Sequence, residues 1–355
     1  MSPHLLYTAE QTRRLDAETI RAAGIPGAVL MSRAAAALHR YVQRRWPRLD
    51  EARVVVGTGN NGGDGYLLAE RLRRRGVDVT VYQVGDPQRI QGDAQKARAV
   101  ALDAGVPCEP WRVACLRDAQ GLVVDALLGT GLSGEVRPEA AAVIEEINAG
   151  SVPVLAVDIP SGLCADTGRR LGAAVHATAT VTFIGRKRGL YTLDGPACAG
   201  DCVFDDLDVP AAVLRCIRRV DAWELGQLSD LLPALAPRPA ASHKGAYGHV
   251  LVVGGEHGFG GAALLAAEAA LRAGAGLVSV ATRAAHVPAF LARRPELMVN
   301  AVDTVHDLGR LLDAASVVLI GPGLGRGPWG QQMLQAYLAT GRPAVLDADA
   351  LNLLA

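Results

Sequence analysis

The sequence lacks an excess of charge of either sign, with 36 Lys plus Arg against 36 Asp plus Glu. No global field therefore draws it to DNA, RNA or an anionic membrane, and a dedicated nucleic-acid or membrane-surface binder is not expected. Lysine is scarce: only Lys96, Lys187 and Lys244 are present, and arginine supplies the other basic residues. The cysteines Cys108, Cys115, Cys164, Cys198, Cys202 and Cys216 include no C-x-x-C pair. Without such pairs a zinc ribbon or dithiol redox motif is excluded, and Cys198 and Cys202 read as small packed thiols. The segment from Met1 to Glu10 lacks a basic stretch followed by a sustained apolar run, so no secretory signal is read and a cytoplasmic location is expected. The long apolar stretch from Gly260 to Ala281 is broken by Glu268, Arg272 and several glycines, and reads as a buried helix and a strand rather than a membrane span.

What the chain does have is length and apolar content. Its 355 residues, 50% hydrophobic and 20% charged, suit a globular enzyme of two or more domains. Thr8 and Gln11 have capping-box spacing ahead of a first helix, and a second helical pattern runs over 28–46. From Arg53, β-branched runs at 53–57, 77–84, 122–125, 152–157 and 175–184 alternate with helical stretches, the pattern of a parallel sheet covered on both faces. Regularity fails between Pro210 and Tyr247, where Pro233, Pro237 and Pro239 cluster, so a domain boundary is placed there, with domains at 1–220 and 221–355. A second α/β pattern follows, with strands expected at 250–253, 277–281, 316–320 and 344–346 and a helix over 262–273. The chain stops one turn after the last of these strands, so this domain is expected to be incomplete.

Three strand-to-loop transitions carry candidate chemistry. The first, Gly57-Thr58-Gly59-Asn60-Asn61-Gly62-Gly63-Asp64-Gly65, precedes a helix expected from about Tyr66 to Arg75; its glycines let backbone amides approach a phosphate. It contains G-x-G-x-x-G, and Asp86 is a possible ribose ligand, so a dinucleotide-dependent oxidoreductase is one reading. A purely structural reading has the asparagines shaping the turn and Asp64 capping the helix. The second transition is Asp125-Ala126-Leu127-Leu128-Gly129-Thr130-Gly131-Leu132-Ser133-Gly134, and the third Val157-Asp158-Ile159-Pro160-Ser161-Gly162. In parallel βα units such loops leave one sheet edge, so Asn61, Asp125, Asp158 and Ser161 are expected to converge on one cleft. A non-catalytic binding module would follow if they did not. Asn61 and Ser161 offer neutral oxygens and Asp125 a single charge, a donor set better suited to a monovalent cation than to Mg²⁺ or Ca²⁺. His243, His249 and His257 match no metal-ligand spacing and read as loop hydrogen-bonding residues.

Together these motifs resemble the bifunctional NAD(P)H-hydrate repair enzymes, in which an epimerase domain is fused to an ADP-dependent dehydratase. The resemblance covers nearly the whole chain. It implies a Rossmann-like three-layer αβα domain followed by part of a ribokinase-like α/β domain. By this resemblance Asn60, Asn61, Gly62, Gly63 and Asp64, with Gly129, Thr130, Gly131, Leu132, Ser133, Gly134 and Glu135, hold the hydrated dinucleotide NADHX or NADPHX. Asp158 touches its reactive part, and Asn61, Asp125 and Ser161 bind a potassium ion. The implied reaction interconverts R and S forms at nicotinamide C6, with Asp158 the expected acid or base and Lys187 a second candidate, the alternative for Lys187 being a solvated loop that holds phosphate. In the second domain, Gly254-Gly255, Gly260-Gly261-Ala262-Ala263, Gly321-Pro322-Gly323-Leu324-Gly325 and Asp347-Ala348-Asp349 resemble the dehydratase, whose Ala262 and Gly323 positions contact the S form. The later dehydratase motifs are not among these residues, so ADP- or ATP-dependent dehydration is not assigned to them as written. A homo-oligomer is expected, with no nucleic-acid or membrane partner.

Overall fold

A computed structural model describes residues 4–216, 222–225, 238–239 and 241–355. The chain divides into two compact units, Met1–Leu231 and Leu232–Ala355. The boundary expected between residues 220 and 221 lies outside the described residues.

The first unit opens with a short strand absent from the sequence reading, β1 (His4–Tyr7), followed by α1 (Ala9–Arg21). Thr8 caps α1 as expected: its hydroxyl accepts from the Gln11 N–H and the Gln11 side chain accepts from the Thr8 N–H. Next come α2 (Gly27–Arg45), β2 (Glu51–Val56), α3 (Asn60–Arg74), β3 (Asp78–Gln83), α4 (Gly92–Asp103), β4 (Cys108–Pro110), β5 (Leu122–Ala126), α5 (Pro138–Ala149) and β6 (Val154–Val157). The unit continues through β7 (Ala179–Phe183), β8 (Arg186–Lys187), β9 (Asp201–Asp205) and β10 (Trp223–Leu225).

Seven strands form one parallel sheet in the order β4-β3-β2-β5-β6-β7-β9. Leu38, Val42, Leu68, Leu72 and Ala97 from α2, α3 and α4 cover one face, and Val143, Ile144 and Ile147 of α5 the other. Both faces being covered, β5, β6 and β7 are buried along their whole length, which is why they show no period-2 alternation of apolar and charged residues. The strand order reverses between β2 and β5, the position at which a doubly wound sheet opens a crevice beyond its carboxyl ends. A small second sheet, β10-β1-β8, sets Tyr7 in register with Lys187.

Three sequence expectations need correction. The extended run at 175–184 contributes only β7 to the sheet, because residues before it bond to loops: Val175 N–H to the Ser161 carbonyl and Ala177 N–H to that of Cys198. β4, β8 and β9 were not anticipated, being too short or too polar at their ends to show a period-2 pattern. The helix expected from about Tyr66 begins instead at Asn60.

The second unit holds a five-stranded parallel sheet in the order β13-β12-β11-β14-β15, formed by β11 (His249–Val253), β12 (Leu277–Thr282), β13 (Met298–Ala301), β14 (Val317–Ile320) and β15 (Ala344–Leu346). Only β13 was absent from the sequence reading. The helix Gly260–Ala273 buries Ala263, Ala267 and Glu268 but leaves Leu265 exposed, so it covers the sheet with one face and is not buried all round. No helix among the described residues is long and apolar enough to cross a membrane.

Candidate active site

Of the glycine-rich segment after β2, the part from Asn60 on is not a loop ahead of a helix but the start of α3. Gly62 makes this possible by close approach: a Cβ there would lie 2.3 Å from the Gly57 carbonyl oxygen. Asn60, Asn61, Gly62, Gly63 and Asp64 therefore sit on a helical N-terminal turn, where free amides and the helix dipole favour a negative group. Asp64 does not cap this helix, whose N-cap residue is Gly59. Asp86, three residues past β3, accepts from the Gln88 N–H and caps the short turn Pro87–Arg89.

Asn61, Asp125 and Ser161, read from three separate motifs, meet. Asp125 is fully buried at the end of β5 and accepts from the Ser161 N–H (2.8 Å), the Ser161 hydroxyl (2.5 Å) and the Leu127 N–H (3.2 Å). The Leu128 N–H donates to Ser161 Oγ at 2.8 Å, and Asn61 Nδ2 donates to the Leu128 carbonyl at 3.1 Å. Burial pushes the Asp125 carboxyl up to about 6, against the opposing effect of its three hydrogen bonds. The donor set here is one carboxylate with an amide, a hydroxyl and a carbonyl, which fits a weakly hydrated monovalent cation better than a divalent one. The loop Gly129–Glu135 starts beside this cluster, since a Cβ at Gly129 would lie 3.3 Å from Asn61 Cβ. Gly131, Ser133, Gly134 and Glu135 are exposed, while Gly129, Thr130 and Leu132 are half-buried.

Asp158 stands at the end of the next strand, β6. One of its carboxylate oxygens accepts from Lys187 Nζ, from the Phe183 N–H (3.1 Å) and from Thr182 Oγ1 (3.3 Å). Lys187 is 1% exposed, which rules out the solvated phosphate-holding loop offered for it from sequence. Its ammonium also donates to Thr182 Oγ1 and the Phe183 carbonyl, both at 3.1 Å, so all three of its N–H groups have partners within the chain. Asp158 has φ 65° and Ile184, in the turn between β7 and β8, has φ 60°. A β-branched residue rarely adopts this left-handed conformation, and such strain of about 1–3 kcal/mol per residue clusters at functional sites.

Sequence reasoning missed Asp16. This half-buried residue of α1 is influenced by Lys187 and Asp158, and burial raises its carboxyl to about 6. The Asp64 carboxyl is raised well above the usual range by burial, then by the charges of Asp158 and Asp16. Nothing in the spacing of α1 marks Asp16, because its proximity to Lys187 depends on pairing between β1 and β8.

In the second unit, the structure brings Ala262 and Gly323 together: a Cβ at Gly323 would lie 3.3 Å from Ala262 Cβ. Ala262 lies in the first turn of the helix that follows β11 and Gly323 in the turn after β14, adjacent strands at which this sheet reverses its order. Asp349 accepts from the Gly325 N–H at 2.9 Å. His249 lies on a strand rather than a loop and bonds Ser279 Oγ (2.8 Å) and the Ala314 carbonyl (3.1 Å).

The first unit matches the family model described as YjeF-related protein N-terminus over residues 27–189, and the second matches that of NAD(P)H-hydrate dehydratase over 250–355. The chain is 44% identical over 354 residues to the bifunctional NAD(P)H-hydrate repair enzyme Nnr of Coxiella burnetii, covering 99% of this chain and 71% of that protein. It is 39% identical over 353 residues to the enzyme of that name from Escherichia coli, covering 99% and 68%. The crystal structure of yeast ynu0 superposes with a TM-score of 0.53 at 18% identity, covering 62% of this chain and 99% of the yeast chain, a likeness of fold. With both modules in the same order and relatives of this identity matched over more than two thirds of their length, the chain belongs to the family of bifunctional NAD(P)H-hydrate repair enzymes.

Proposed function

We propose that the first unit interconverts the R and S forms of hydrated NADH or NADPH at nicotinamide C6. One observation carries this reading: Asn61, Asp125 and Ser161 gather around Leu128 at the sheet's reversal point, one strand from the Asp158–Lys187 pair. The helical turn from Asn60 to Asp64 and the loop from Gly129 to Glu135 flank the crevice and would hold the dinucleotide, its phosphates near the N-terminus of α3. Epimerisation needs the C6–O bond to break with the ring-nitrogen lone pair assisting, then water to add to the opposite face. Both halves require a proton donor and an acceptor. Asp158 is the acceptor in this reading. Lys187, its N–H groups fully engaged, acts by holding and orienting Asp158 rather than by giving a proton to substrate.

Asn61, Asp125 and Ser161 would hold potassium. When bound, the ion supplies a fixed positive charge that neutralises Asp125 and steadies the two loops around it. Incubating the protein with purified R-form hydrate and following the S form by chromatography tests the reading; no S form at any potassium concentration would overturn it.

For the second unit we propose contact of the S form with Ala262 and Gly323. Nucleotide-dependent dehydration, with ADP or ATP, is proposed for the family's dehydratase module and not for the 355 residues by themselves. A cytoplasmic setting and a homo-oligomeric state complete the reading, to be checked by fractionation and light scattering.

A further inference from the structure

The clamp on the Asp158–Lys187 pair is partly backbone, and that backbone lies in a strained turn. Phe183 gives its N–H to Asp158 and its carbonyl to Lys187, both at 3.1 Å. The same carbonyl accepts the Gly185 N–H at 2.6 Å, which closes a three-residue turn over Ile184, whose φ is 60°. A β-branched residue in the left-handed region costs free energy, so such a turn persists only where its surroundings fix it.

The N-terminal segment supplies much of that fixing. Leu6 and Tyr7 of β1 lie in register with Arg186 and Lys187 of β8, so the chain runs directly beside the residue that bears the ammonium. Tyr7 is 3% exposed. A Cβ at Gly185 would lie 2.9 Å from Tyr7 Cδ2, well inside the ~3.5–4.0 Å at which carbon atoms pack. The ring therefore abuts the turn at a position that only glycine can occupy. Leu15 Cδ1 and Thr12 Oγ1 of α1 come to 3.2 and 3.6 Å of the same point. The Ala9 N–H donates to Asp166 Oδ1 at 2.6 Å, which ties the start of α1 to the loop that follows Ser161. The Ile184 N–H donates to the Asp205 carbonyl, at the end of β9, at 3.1 Å.

Resting on the epimerase reading above, we propose that Tyr7 is a positioning residue of this site: its ring wedges the turn at 183–185 in the strained form that presents Phe183 to both Asp158 and Lys187. Tyr7 acts through the turn and not on substrate. With the ring removed, Ile184 is free to relax toward negative φ and the peptide groups of Phe183 rotate. Asp158 then loses an N–H donor and Lys187 an acceptor. A displacement of about 1 Å at a reacting group costs on the order of 10²-fold in rate. A side chain at Gly185 has the same consequence, because it expels the ring.

The scarcity of lysine makes the test direct. Of Lys96, Lys187 and Lys244 only Lys187 is buried, so in the full chain carrying ¹⁵N-lysine one ammonium NMR signal should exchange slowly with water. Lys187→Met assigns it. Tyr7→Ala is expected to speed that exchange about tenfold or more. In the epimerisation assay it should lower kcat by about tenfold to hundredfold with KM within about threefold. Tyr7→Phe keeps the ring and should restore both, and Gly185→Ala should repeat the loss. Val143→Ala opens a cavity on the opposite face of the sheet, controls for lost stability and should leave the Lys187 signal protected. An ammonium still protected in Tyr7→Ala, a kcat unmoved by that change, or an equal loss of protection in Val143→Ala would overturn the proposal; Tyr7→Leu replaces Tyr7→Ala if the latter fails to fold. The exchange measurement needs no turnover, so an inactive unsubstituted protein would remove the epimerase reading while the ammonium signal still decided whether Tyr7 holds the pair.

Discussion

Replacing Asp158 by Asn separates charge from shape at the centre of the site. The amide keeps an oxygen toward Lys187 and the Phe183 N–H, and Asn tolerates the left-handed backbone of this position, φ 65°, as well as Asp does. What disappears is the negative charge beside an ammonium that is 1% exposed. Removing one partner of a buried pair outright costs about 3–5 kcal/mol. Here Thr182 Oγ1 and the Phe183 carbonyl still accept from Lys187, both at 3.1 Å. The loss is therefore nearer the difference between a charged and a neutral hydrogen bond, about 1–3 kcal/mol. For a unit of this size that lowers the melting temperature by roughly 2–12 °C, leaving the variant folded at room temperature. Epimerisation should fall by about 10²–10⁴, the contribution of a positioned acid or base. Calorimetry and hydrate chromatography on one preparation separate the two effects. Near-normal turnover would remove Asp158 from the mechanism. Adding Lys187→Met to Asp158→Asn should recover part of the stability and none of the activity; a double variant less stable than Asp158→Asn would refute the reasoning about the orphaned ammonium.

Three further outcomes follow from the same geometry. Potassium at about a hundred times its dissociation constant should stabilise the first unit by about 2.7 kcal/mol relative to lithium, and Ser161→Ala or Asn61→Ala should abolish the difference. Melting curves check this, and strict Mg²⁺ dependence would contradict it. Burial raises the Asp125 carboxyl from its ordinary 3.8 to about 6. Its stabilising contribution is therefore complete below the unfolded value and is lost as pH rises through about 6. In lithium buffer the protein should melt lower at pH 7.5 than at pH 5, and Asp125→Asn should flatten part of that slope; an unaltered slope refutes the assignment. Gly62→Ala brings a Cβ to 2.3 Å from the Gly57 oxygen and should cost about 1–3 kcal/mol in a denaturant titration, whereas unchanged stability would show that the first turn of α3 can relax.

The sequence by itself determined the α/β class, the capping of α1, the strands that feed the three motifs, and the candidates Asn61, Asp125 and Ser161, which the fold brings together. It could do so because buried parallel strands read as apolar runs and because glycines and aspartates directly after a strand have few other uses. The same pattern could not show that α3 begins at Asn60, since glycines suited to a loop also suit a helix turn pressed against a neighbouring backbone. Nor could it show Lys187 buried: that burial comes from residues 158, 182 and 183 and from pairing with residues 6 and 7, a contact across 180 positions with no local signature. Asp16 was invisible for the same reason. An exposed acidic position on a helix and one facing a buried ammonium look alike in sequence, and only the approach of β1 to β8 tells them apart, because electrostatic influence depends on distance through space and on the water excluded from between.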